Sequence, residues 1–69
     1  MNAYTVVATL SEMDEADTLH ILINNPGDAK EFGKAIKRAF AEEYEYPESD
    51  IRDRGYVVHA VFNGIHNAL

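Results

Sequence analysis

No cysteine occurs among the 69 residues, which removes disulfides and thiolate-held metal from the usual means of stabilising so small a domain. No apolar run approaches the roughly 20 residues needed to span a bilayer. The start, MNAYTVVATLSEMDEAD, shows no basic segment followed by an apolar stretch, so the expectation is a soluble, cytoplasmic protein without a membrane partner. Glycine-rich phosphate loops are absent, Ser11 and Ser49 are the only serines, and a short chain leaves little room for a water-excluding pocket. Catalysis is therefore not expected, and neither is a cofactor.

Metal is not expected either. His20, His59 and His66 match no zinc spacing. Asp14 with Asp17, and Asp50 with Asp53, lack the alternating oxygen ligands, central glycine and terminal glutamate of a calcium loop. With no second domain able to fit, residues 1–69 read as one domain, of a size that buries only about 60% of its unfolded surface. A core that thin raises the expectation of a partner subunit.

What is present is negative charge. Six basic against twelve acidic residues give a formal net charge of −6, which opposes nonspecific attachment to nucleic acid or to an anionic membrane and favours basic protein surfaces. Ten of the twelve acids fall between Glu12 and Asp17 or between Glu42 and Asp53.

Hydrophobic alternation places a strand at Ala3 to Leu10, with Tyr4, Val6, Ala8 and Leu10 on one face and Thr5, Val7 and Thr9 on the other. After the polar loop SEMDEA, a second strand runs from Asp17 to Asn24 with Leu19, Ile21 and Ile23 inward. Pro26 and Gly27 break it, and Asp28 with Glu31 forms a capping-box-like pair at the start of a helix. Phe32, Ala35, Ile36, Ala39, Phe40 and Tyr44 recur at helical spacing. Pro47 disfavours helical geometry at Tyr46, so the helix should span about Asp28 to Glu45. Tyr46 to Gly55 reads as a return loop, and Tyr56 to Phe62 as a third strand with Tyr56, Val58, Ala60 and Phe62 on one face. Asn63-Gly64 favours a tight turn, which leaves a short fourth strand at Ile65 to Leu69 or a fraying tail as the alternatives.

The expected fold class is thus α+β, in the order β-β-α-β. Its sheet is mainly antiparallel, with three strands or four if the tail adds one, and one helix covers one face. Strand order 2-1-3 follows if the third strand pairs with the first. A parallel neighbour beside the second strand is the alternative.

Either arrangement brings the loop after the first strand and the loop after the helix to the same end. Glu12, Asp14, Glu15, Asp17, Glu42, Glu43, Glu45, Glu48, Asp50 and Asp53 would gather there, offset by Arg52 and Arg54, for a local charge of −8 (ten acids less two arginines) against +2 elsewhere. Glu42, Glu43 and Glu45 sit where a helix dipole disfavours them. Such an array is either a solvated, solubilising surface or a set of carboxylates that imitates nucleic-acid phosphates in a basic groove. Tyr46 is the candidate anchor within it, since tyrosine supplies large contact area at little rotamer cost. The stripe Lys30, Lys34, Lys37 and Arg38 is the only support for direct nucleic-acid binding, and no groove-reading motif accompanies it.

The uncovered sheet face should show Thr5, Val7, Thr9, His20, Leu22, Val57, His59 and Val61, too apolar a set to face water wholly. Two coverings fit. Either the tail carrying Ile65 and Leu69 folds over it, or two copies associate through Val7, His20, Leu22, Val57, His59 and Val61.

In size, acidity and β-β-α-β order the chain resembles the small acidic inhibitors made by bacteriophages, some of which mimic DNA against host repair, restriction or CRISPR enzymes. The resemblance spans the whole chain in organisation and rests on no motif, so no residue carries over by position. It implies an inhibitor acting in the host cytoplasm on a nucleic-acid-binding enzyme or complex. From a different class comes a small structural or regulatory module, antitoxin-like, that dimerises through its open sheet face.

Overall fold

β1 (Asn2–Leu10) occupies the middle of the sheet. β2 (Asp17–Ile23) and β3 (Tyr56–Asn63) pair with it on either side, both antiparallel, in the order β2-β1-β3. In this computed structural model residues 1–67 are described. The β1–β2 register sets Tyr4, Val6 and Ala8 opposite Ile21, Leu19 and Asp17, and Thr5 and Val7 opposite His20 and Thr18. One face is therefore apolar, as the alternation predicts.

α1 (Ala29–Tyr44) lies on that face and buries Ile36, Phe40 and Ala41 against Val6, Ala8, Leu10, Leu19, Ile21 and Ile23. Each large aliphatic or aromatic side chain so buried stabilises the fold by about 1.5–3 kcal/mol. Asp28 caps the helix, its side chain accepting from the N–H of Lys30 at 2.9 Å and of Glu31 at 3.3 Å. Glu31 does not return to Asp28. It reaches further back, accepting from Asn24 N–H at 2.6 Å and Asn25 N–H at 2.9 Å, and so ties the loop to the helix. Glu45, left-handed at φ 57°, ends the helix ahead of Pro47.

Tyr46 to Gly55 is not the simple return loop expected. It contains α2 (Glu48–Arg54), so the described residues form two helices rather than one. Seven residues, with Ile51 the one apolar side chain among them, are too few for periodicity to reveal a helix. The physical cause is twofold: Ile51 is fully buried and anchors the turn, while Glu48 and Asp50 fall in the first turn and Arg52 and Arg54 in the last, the arrangement the helix dipole favours.

β3 also departs from simple alternation. Its register against β1 shifts between Val7 and Ala8, which face Ala60 and Val58, leaving His59 as the extra residue of a bulge. Beyond the bulge the faces exchange. Tyr56, Val58 and Val61 lie on the α1 side, opposite Leu10, Ala8 and Val6, whereas Val57, Ala60 and Phe62 share the open face with Thr9, Val7 and Thr5. Ala60 and Phe62 thus leave the face expected for them, and Val61 leaves the open face.

Past β3 the chain turns at Gly64, whose φ of 83° lies in the left-handed region, and Gly64 N–H donates to Ala3 O at 2.8 Å. Thr5 then holds the turn twice: its hydroxyl donates to Gly64 O at 2.8 Å and accepts from His66 N–H at 2.8 Å. Ile65 to Asn67 form no strand. The fourth strand is therefore absent among the described residues, and the part of that expectation resting on Ala68 and Leu69 lies outside them.

Candidate functional site at the acidic end

The β1–β2 loop and the α1–α2 segment meet, as the folding path requires. Ser11 N–H donates to Gly55 O at 3.1 Å, and Met13 N–H closes a turn onto Leu10 O at 3.0 Å. That turn holds Glu12 at φ 75°, a conformation a residue with a side chain adopts only under local constraint. The Met13 side chain, next along the chain, packs against the core.

Arg54 ties the two segments together. Its guanidinium donates to Glu12 Oε2 at 2.9 Å and stands 5.0 Å from the centre of the Tyr46 ring. Tyr46 stacks on Tyr44 at 5.8 Å, and Tyr44 stacks on the buried Phe40 at 6.3 Å. The Tyr44 hydroxyl donates to Asp17 Oδ2, which pushes the phenol's pKa up to about 12. The hydrogen bond is the main cause, followed by burial and the nearby charges of Asp17, Glu43 and Glu15. A ladder of three aromatic rings and an arginine thus runs from the core to the acidic surface.

Asp14, Glu15, Glu42, Glu43, Glu45, Glu48 and Asp50 are exposed around this ladder. Arg52 lies 3.6 Å from Asp53, Arg54 takes Glu12, and Asp17 is half-buried under Tyr44. All ten sequence-predicted carboxylates lie on the segments joined here. Tyr46 is half-buried between Tyr44 and Arg54, so it is an internal support with one side left toward solvent. The Arg54 clamp escaped the sequence reading because it depends on α2, whose only signal was one isoleucine in a polar stretch.

The open sheet face carries Val7, His20, Leu22, Val57 and His59, but not Val61. Its histidines are engaged. His59 Nε2 lies 2.8 Å from Thr9 Oγ1, His20 Nε2–H donates to His66 O, and His66 Nε2–H donates to Asn63 O, both at 2.8 Å. Among the described residues, no group of three His, Asp or Glu side chains is placed to hold a metal, and no helix is long and apolar enough to cross a membrane. The depression beside β2, lined by His20, Leu22, Arg38 and Glu42, is shallow and open to solvent. No protein family matches this sequence, and no curated protein or solved structure matches it.

Proposed function

We propose that the chain is a non-enzymatic, protein-binding inhibitor that uses its acidic end to occupy a basic surface of a partner protein, one that otherwise holds nucleic acid. The observation that carries this reading is the joining of two acidic stretches, remote in sequence, into one surface held by Arg54 and the aromatic ladder. A merely solubilising surface needs charge but no such scaffold. With its geometry fixed in advance, a carboxylate array loses less freedom on docking, and its charge accelerates encounter with a basic groove.

The partner is sought in bacterial cytoplasm by capture and mass spectrometry, followed by measurement with the purified partner. Nucleic acid should compete with the protein, and affinity should fall as salt rises. Reversing Asp14, Glu15, Glu48 and Asp50 to Lys, which leaves the Glu12–Arg54 pair intact, should slow association by about tenfold or more. Reversing Lys30, Lys34 and Lys37 should change it little. Equal binding by the acidic-end variant, with unchanged salt dependence, would remove this reading.

A second reading, a dimerising structural or regulatory module of the antitoxin-like kind, is favoured by one observation. Val57, Val58, Val61 and Phe62 of β3 remain exposed.

A further inference from the structure

β3 is exposed on both faces and along one edge. Of the seven large hydrophobic side chains exposed among the described residues, five lie between Val57 and Ile65: Val57, Val58, Val61, Phe62 and Ile65. No Asp, Glu, Lys or Arg occurs from Gly55 to the last residue, in a chain of net charge −6. Lysines, prolines, inward charges and bulges are devices that ordinarily keep a sheet edge from pairing; β3 has none of the first three, and carries a bulge at His59.

We propose that β3 is the interface for a second copy of this chain, the two edges joining antiparallel about a two-fold axis into one continuous six-stranded sheet. The bulge at His59 makes the edge self-complementary. Gly55 O accepts from Ser11 N–H and Gly64 N–H donates to Ala3 O, so both ends of β3 direct backbone groups at β1. Counting inward by alternation from each end, Tyr56, Val58, Val61 and Asn63 direct theirs outward.

An axis at the strand's midpoint, between His59 and Ala60, sets Val58 opposite the partner's Val61 and Tyr56 opposite the partner's Asn63. Outward-directed backbone then meets outward-directed backbone. The faces agree as well: Val58 and Val61 both lie on the α1 side, and Val57 and Phe62, which would also meet, both lie on the open side. A regularly alternating strand paired about that midpoint would set opposite faces together.

Charge favours the same geometry. β3 leaves the acidic end at Tyr56, and antiparallel pairing sends the two acidic ends to opposite ends of the seam. Tyr56 and Asn63 face Leu10 and Tyr4, which at about 3.3 Å per residue separates the two acidic ends by about 20 Å along the strand, more than two screening lengths at physiological salt. Parallel pairing would set them side by side. Face-to-face association has a weaker basis, because the Gly64–His66 segment already lies across Thr5, which is 0% exposed at the centre of the open face. The interface is separate from the acidic end and stands or falls without it.

The absence of cysteine makes the register directly testable. Sedimentation equilibrium of the parent should give twice the 7.7 kDa chain mass, and Val61→Lys should return it to a monomer, whereas Leu22→Lys should not. Val58→Cys and Val61→Cys chains, mixed, allowed to exchange and oxidised, should form the mixed disulfide dimer. Each chain alone should cross-link far less: Val58 and Val61 face Ala8 and Val6, two residues apart, so its own cysteines would lie about 7 Å apart along the seam and a strand spacing across it, about 8 Å in all, too far for a disulfide. A parent monomeric at high micromolar concentration would overturn the proposal. Cross-linking as efficient in either variant alone would also overturn it, as would a dimer lost in Leu22→Lys but kept in Val61→Lys.

Discussion

β2 and β3 flank the same central strand, both antiparallel, and both end the sheet, yet their α1-side residues have opposite fates. Leu19, Ile21 and Ile23 of β2 are at most 3% exposed, while Val58 and Val61 of β3 are 39% and 45% exposed. The sequences do not differ enough in hydrophobicity to explain this. Geometry does: a helix is about 10 Å across with its side chains, while strands stand about 4.8 Å apart, so one helix covers about two strands. α1 lies toward β2, and α2, only seven residues long, is too short to replace it over β3. A domain with three strands and one long helix leaves apolar surface at one edge, which is where association is cheapest to build.

The largest expected effects lie on the covered side. Phe40→Ala or Ile36→Ala should cost roughly 2–5 kcal/mol, a large fraction of the stability of so small a domain. Leu19→Ala should fall in the same range. Val61→Ala, measured by urea denaturation at a concentration low enough to keep the chain monomeric, should cost under about 1 kcal/mol, because its side chain keeps much of its contact with water. Equal losses for Leu19→Ala and Val61→Ala in the monomer would abolish the distinction between the two edges.

The covered side was also the legible side. Asp28, the apolar spacing from Phe32 to Tyr44, and Pro47 bounded α1 to within a residue of its observed ends, and alternation placed Leu19, Ile21 and Ile23 inward. Those signals are local and repeat several times. β3 is legible only as far as its midpoint, because a single inserted residue, His59, reverses every later face, and nothing within YVVHAVF announces a bulge that exists only against β1. α2 is hidden for the same kind of reason, since Ile51 is apolar in isolation and becomes an anchor only once a core lies beneath it. At the acidic end, the gathering of carboxylates was readable from element order. Arg54 between Glu12 and Tyr46 is not, because its position depends on α2.

An intermediate effect should come from the strap that the tail lays across the open face. Thr5 is fully buried and its hydroxyl both donates to Gly64 O and accepts from His66 N–H, so Thr5→Val leaves two polar groups without a partner. The expected cost is about 1–3 kcal/mol, with loss of amide-exchange protection at His66. Thr9→Val, which removes only the exposed contact to His59, should cost about 0.5 kcal/mol or less. Unchanged His66 exchange in Thr5→Val would mean that the tail is held by something other than this hydroxyl.

A smaller effect than the loss of the Thr5 hydroxyl concerns how α1 is held toward β2 at the acidic end. Asp17, the first residue of β2, accepts the hydroxyl of Tyr44, the last residue of α1, so this contact joins the two elements whose proximity leaves β3 uncovered. Tyr44→Phe should cost about 1 kcal/mol or less at neutral pH. The pH dependence is more specific. With the phenol's folded pKa raised from 10.0 to about 12, folding favours the neutral form. The contribution is therefore fully present below the unfolded value near pH 10 and is lost as pH rises from there toward 12. Tyr44→Phe should flatten that part of the stability profile. In an ultraviolet titration of the four tyrosines, one phenol should ionise late. Asp17→Asn should bring it back toward pH 10, since it removes the charge and the strong acceptor together. A late phenol that survives Tyr44→Phe would assign the shift to another tyrosine and detach the acidic end from the placement of α1.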